Sequence, residues 1–77
     1  MKKIQILGTG CAKCAKLAEN TRAAAESLGL DYEMEKITEL NQIIAFGVMT
    51  TPALAVDGKV LLTGKVPSAA DLEKLLR

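Results

Sequence analysis

The feature that most constrains this chain is a break between two kinds of backbone. Ile4-Gln5-Ile6-Leu7 carries β-branched residues at i and i+2 and reads as a short strand. Gly8-Thr9-Gly10 interrupts it. From about Ala12 to Leu28 the chain is rich in Ala, Leu, Lys and Glu with neither Pro nor Gly, a composition that favours helix. Both cysteines, Cys11 and Cys14, fall at this strand-to-helix junction with C-x-x-C spacing. Such a pair can exchange electrons as a dithiol and disulfide, or it can hold a metal.

The pattern beyond the junction predicts the remaining elements. Leu17, Thr21, Ala24 and Leu28 form one helical stripe, and Gly29 follows it where a left-handed cap ends a helix. Leu30, Tyr32 and Met34 alternate with Asp31, Glu33 and Glu35, the period of a strand with one solvated or rim face. Thr38 is placed to cap a short helix with Leu40, Ile43 and Ile44 as its apolar face, ending near Gly47, although Ile43-Ile44-Ala45-Phe46 also suits a strand. Two apolar runs around Asp57-Gly58 signal a hairpin, with Pro52 at the head of its first strand. Ser68 and Asp71 resemble a capping box, and Leu72, Leu75 and Leu76 give the closing helix its buried face.

The resulting order is β-α-β-α-β-β-α. A strand, helix and strand in succession imply a parallel pair with a right-handed crossover, and the hairpin adds antiparallel strands. The fold class is therefore α/β, with one mixed four-stranded sheet flanked by three helices and both its faces buried. At 77 residues the chain is one domain near the lower limit for an unassisted core. With one Tyr, one Phe and no Trp, that core is aliphatic.

A net charge of +1 offers no overall field for nucleic acid or an anionic membrane. No run is apolar enough to span a bilayer or to serve as a signal-peptide core, so a cytoplasmic location is expected. In a reducing compartment two close cysteines are catalytic or metal-binding rather than a staple, and a bridge between residues three apart would constrain the unfolded chain little. Residues 1–16 carry Lys2, Lys3, Lys13 and Lys16 and no acid, whereas residues 17–40 carry six acids against Arg22 and Lys36. The cysteine end is thus expected to be electropositive.

Taken together, Cys11-Ala12-Lys13-Cys14 at the first junction, Thr51-Pro52 opening the third strand, and the Asp57-Gly58 hairpin followed by Gly64 resemble the thioredoxin-like superfamily. The resemblance is nearest to its small, glutaredoxin-like redox-active disulfide proteins of bacteria and archaea, and it covers residues 1–77. It implies a thiol–disulfide oxidoreductase that reduces protein disulfides and contributes to electron transfer and cell redox homeostasis. Cys11 would be the exposed nucleophile, Cys14 the resolving thiol, Pro52 a cis-proline facing the disulfide, and Thr51 a backbone partner for bound substrate. The Cys11–Cys14 disulfide would itself be the redox unit, with no bound cofactor and no metal. A thioredoxin-reductase-type donor would recharge it, its substrates would be protein disulfides, and the chain would act as a monomer without nucleic-acid or membrane partners.

Physical chemistry supports a reactive Cys11. Unpaired N–H groups and the helix macrodipole favour an anion at a helix start, with Lys13 and Lys16 adding positive charge. Together they should bring the Cys11 pKa from about 8.5 into a range of roughly 3.5–7.5. A value near 7 would raise the thiolate fraction at neutral pH about fifteen-fold, offset about five-fold by lost nucleophilicity. The larger benefit is a better leaving group when Cys14 attacks the mixed disulfide. Ala53, Leu54 and the Thr9–Gly10 turn are expected to form a flat apolar rim around Cys11, suited to a protein substrate.

The chain departs from better-known relatives of that family. Gly10 stands where thioredoxins carry Trp, Ala12-Lys13 separates the cysteines, and Ile4–Leu7 holds no acid, leaving Gln5 as its one polar group. Gly64-Lys65-Val66-Pro67 is a poor match to glutathione-binding residues, which favours a protein substrate. The alternative is a soft-metal domain that binds or transfers Cu(I) through the same two thiolates. Such domains follow β-α-β-β-α-β and end on a strand, whereas Ser68–Arg77 predicts a final helix.

Overall fold

The computed structural model describes residues 2–10 and 12–77. Its elements run β1 (Lys2–Leu7), α1 (Ala12–Ser27), β2 (Tyr32–Ile37), α2 (Leu40–Ala45), β3 (Ala53–Val56), β4 (Lys59–Thr63) and α3 (Ala69–Leu76). The four strands form one mixed sheet in the order β2-β1-β3-β4, with β1 parallel to β2, antiparallel to β3, and β3 antiparallel to β4. This is the α/β arrangement of three helices on a four-stranded sheet that the sequence pattern predicts.

Local chemistry accounts for the boundaries. Gly29 closes α1 with φ +67°, its N–H reaching the Glu26 carbonyl while the Leu30 N–H reaches that of Ala25. That pair of bonds satisfies carbonyls the helix end leaves open. Asp57 and Gly58 both adopt positive φ, the mirror-image turn whose twist matches a hairpin. Ser68 caps α3, its hydroxyl accepting from the Asp71 N–H at 3.3 Å. Lys2 Nζ donates to the Leu76 carbonyl at 3.2 Å, closing the other end of that helix.

One face of the sheet carries α1 and α3. There Ile4, Ile6 and Leu54 pack with Leu17, Ala18, Ala24, Ala25, Leu72 and Leu76. Thr21 is buried in the α1 stripe and donates its hydroxyl to the Leu17 carbonyl at 2.6 Å, so its polar atom is satisfied within the helix. The opposite face holds Leu7, Ile37, Ala53 and Ala55 under Ile43 and Val48.

That second face departs from expectation. Six residues give α2 a length of about 9 Å, too short to cover a sheet face. Only Ile43 is buried, while Leu40 and Ile44 are 62% and 59% exposed. The N-cap of α2 is Glu39 without a side-chain bond, so Thr38 does not cap it. Toward the hairpin the face is finished by polar groups: Gln5 Oε1 accepts from the Gly58 N–H at 3.0 Å, and Lys3 lies 3.9 Å from Glu35. Both faces are therefore not fully buried. In α3, Leu72 and Leu76 are buried but Leu75 is 43% exposed, because the stripe facing α1 is only two residues wide.

These environments set different energetic roles for neighbouring isoleucines. Truncating Ile43→Ala removes side-chain volume from a closed core and should cost about 2–4 kcal/mol in urea unfolding, whereas Ile44→Ala should cost less than about 1 kcal/mol.

Candidate active site

The C-terminal end of β1 is where the site is assembled. Gly8 extends the β1–β2 ladder by one bond, its N–H donating to the Ile37 carbonyl at 2.9 Å. The chain then turns through exposed Thr9 and Gly10, the latter at φ +88°, and α1 begins at Ala12. Cys14 lies in the first turn of α1 and is 6% exposed. Cys11 lies outside the described residues.

Three segments converge on Gly8. A Cβ built there would stand far inside van der Waals contact with Cys14 Sγ, 3.2 Å from Cys14 Cβ and 4.0 Å from Pro52 Cα. The missing side chain is what lets the thiol and the proline approach the end of β1 together. Pro52 is fully buried, and its peptide bond with Thr51 is cis. Its carbonyl accepts from the Gly64 N–H at 2.7 Å, tying the segment before β3 to the end of β4. Gly64 in turn lies beside Thr50, whose Cγ2 would be 2.9 Å from a Cβ there. Thr51 is exposed at the surface of this cluster.

Several expectations about the surroundings need correction. Ala53 and Leu54 are completely buried, because β3 is a central strand between β1 and β4, so neither forms a rim. The apolar surface beside the site is instead a groove of about 550 Å³ lined by Thr9 and Thr51 together with Leu40, Ile44, Val48 and Met49. Met49 is 99% exposed. Leu40 and Ile44 sit one helical turn apart; their spacing was the available signal, and it reads equally well as core.

The electropositive end also changes. Lys2 and Lys3 lie at the start of β1, on the order of 15 Å from its other end, because an extended strand carries them away from the cysteine motif. Lys13 and Lys16 remain near it, both exposed on α1. The cation that pattern reading passed over is Lys36. β2 runs parallel to β1 and pairs Lys36 with Ile6, so the lysine arrives at the same end as Cys14.

A buried cysteine at a helix start, seated on a glycine and flanked by a cis-proline, is an arrangement suited to thiol–disulfide exchange. Comparison with known proteins agrees. A family model described as a thioredoxin domain matches residues 2–77. The chain belongs to the thioredoxin family. It is 49% identical over 76 residues to a thioredoxin of Methanothermobacter thermautotrophicus, covering 99% of each chain. It is 40% identical over 77 residues to a thioredoxin of Methanocaldococcus jannaschii, covering 100% of this chain and 88% of that one. Membership carries a thiol–disulfide oxidoreductase kind of function, and the element order β-α-β-α-β-β-α differs from the β-α-β-β-α-β order of the soft-metal domains.

The Gly8 contact predicts a sharp contrast between glycines of this thioredoxin-family loop. Gly8→Ala must displace the Cys14 thiol and should slow disulfide exchange on the order of 100-fold, while Gly10→Ala, with open space at its Cβ, should cost about 1 kcal/mol of stability. Exchange rates with a model disulfide and urea unfolding of both variants check this.

Proposed function

We propose that this protein reduces protein disulfides through Cys11 and Cys14. The observation that carries the proposal is the convergence of Cys14, Gly8 and the cis Thr51–Pro52 bond at one end of β1, with an apolar groove opening beside it. Cys11 attacks a disulfide sulfur of the substrate and forms a mixed disulfide. Cys14 then attacks Cys11 Sγ, releasing the second substrate thiol and leaving the Cys11–Cys14 disulfide. A thioredoxin-reductase-type donor returns two electrons and two protons to the pair. No further cofactor takes part.

Helix geometry supports the division of labour. Cys14 is buried in the first turn of α1 and suits an intramolecular attack, which the three-residue spacing makes effectively unimolecular. Lys13, exposed in that turn, adds positive potential for a thiolate at Cys11. Thr51 offers backbone to an extended substrate segment, and Leu40, Ile44 and Met49 offer it apolar surface. A polypeptide carrying the disulfide fits such an open groove better than a small thiol would. Met49 adds an unbranched side chain that adapts to different sequences.

The experiment is a trapping pair. Cys14→Ser should accumulate covalent mixed disulfides with a protein substrate through Cys11, and Cys11→Ser should accumulate essentially none. Equal trapping by both variants would reverse or abolish the assigned roles. Insulin reduction by the unaltered protein, driven by a dithiol or a thioredoxin-reductase-type enzyme, should fall more than about 100-fold with either substitution, because the two thiols act as a unit.

A further inference from the structure

The hairpin between β3 and β4 carries a chemical conflict. A two-residue turn with positive φ at both positions is built most readily from Asp-Gly, and Asp57 and Gly58 adopt φ +52° and +86°. The same dipeptide is the one most prone to rearrange. Glycine has no side chain to shield its nitrogen, which can attack the preceding aspartate carboxyl and close a succinimide ring. Both residues are exposed, so water reaches the turn freely.

Gln5 reaches this turn from the neighbouring strand. It shares a sheet face with Ala55, is 8% exposed, and is the one polar residue of Ile4–Leu7. An apolar residue would pack there without burying an amide, so the amide calls for a reason. Its Oε1 accepts from the Gly58 N–H at 3.0 Å, and its Nε2 donates to Glu35 Oε1 at 3.4 Å. A carboxylate only accepts, so Glu35 draws the amide nitrogen and leaves the carbonyl oxygen for Gly58. Lys3 Nζ, 3.9 Å from the same Glu35 oxygen, holds that carboxylate in turn.

Asp57 is tied down as well. Its Oδ1 accepts from the Lys3 N–H at 2.9 Å, and its own N–H donates to the Lys3 carbonyl at 2.8 Å. The nitrogen and the carboxyl that would react are therefore both bound to β1. Solvent could satisfy an exposed Gly58 N–H, so hydrogen-bond satisfaction alone does not require a buried Gln5.

We propose that Asp57–Gly58 is a site of spontaneous isoaspartate formation, and that Gln5, oriented by Glu35, holds the Gly58 nitrogen out of that reaction. In the step it restrains, a bond forms between Gly58 N and Asp57 Cγ as a Cγ–O bond breaks. The amide hydrogen leaves with the hydroxyl of the protonated carboxyl as water. A second water opens the ring at the Asp57 main-chain carbonyl, and the chain then runs through the side-chain carbon. Mass is unchanged overall, and no oxidant or reductant takes part. An extra backbone carbon in a two-residue turn would break the paired Asp57–Lys3 bonds and loosen the hairpin from β1.

The test incubates the folded protein at neutral pH, counts isoaspartate by enzymatic methylation and places it by peptide mapping. Gln5→Met keeps the side-chain length and removes the acceptor. It should accumulate isoaspartate at Asp57 about three- to ten-fold faster than the unaltered protein, the range set by one hydrogen bond. Glu35→Ala frees the amide to rotate and should accelerate the reaction about two- to three-fold, with little risk to folding because that side chain is 41% exposed. Exchanging the pair, Gln5→Glu with Glu35→Gln, restores both acceptor and donor and should return the unaltered rate. The unaltered protein, brought by dilute urea to the stability of Gln5→Met, should keep its slow rate. Equal rates in that last comparison would assign the rearrangement to global unfolding and overturn the proposal. So would unchanged rates in Gln5→Met and Glu35→Ala, which would show that Gln5 does not restrain Gly58.

Discussion

Close packing at Gly8 is the constraint on which the site depends. The end of β1, the start of α1 and the distant Pro52 segment approach so closely here that a side chain at Gly8 would collide with the Cys14 thiol. Gly8 leaves that space free at the last rung of β1, and its N–H bond to Ile37 fixes the rung in place. Protein interiors tolerate little mismatch of this kind, so the position of the Cys14 sulfur is set by the sheet as much as by its own helix. The Pro52–Gly64 bond anchors the third segment to β4. Every strand therefore contributes, directly or through one hydrogen bond, to holding the thiol.

The sheet also decides which charges matter. Parallel pairing of β1 with β2 carries Lys36 to the cysteine end and carries Lys2 and Lys3 away from it. A lysine embedded in the most acidic third of the sequence thus ends beside the buried thiol, and two lysines near the motif in sequence end at the far side. The same directionality separates the faces: α1 and α3 enclose an aliphatic core on one side, and short α2 leaves apolar side chains uncovered on the other. Those uncovered side chains adjoin Thr51 and Thr9, so incomplete coverage of the sheet leaves an apolar groove beside the site.

Much of this was legible in the sequence because it rests on local rules. Gly29, Asp57-Gly58 and Ser68 mark their turns and caps by backbone chemistry that needs no tertiary context, and they locate the elements correctly. Thr51-Pro52 with the C-x-x-C motif pointed to the family and to the cis bond, although the bond itself follows from the resemblance and not from propensity. What local rules cannot supply is which apolar residues a neighbour covers. Ala53 and Leu54 disappear because β3 is central; Leu40 and Ile44 remain because a six-residue helix presents one position inward. Gly8 reads as a turn former in sequence, and only the approach of Cys14 reveals why it lacks a side chain.

The central claim is that Cys11 and Cys14 form one reversible two-electron couple on a scaffold built to hold them. Equilibrating the protein across a series of dithiothreitol or glutathione buffers, and counting free thiols with the intact mass, tests it directly. Both thiols should disappear together in a monomer that loses two hydrogens, with a tenfold change in the oxidised-to-reduced ratio for every 30 mV or so. Thiols that oxidise independently or only between chains, or that bind Cu(I) tightly and stoichiometrically while reducing no disulfide, would contradict it.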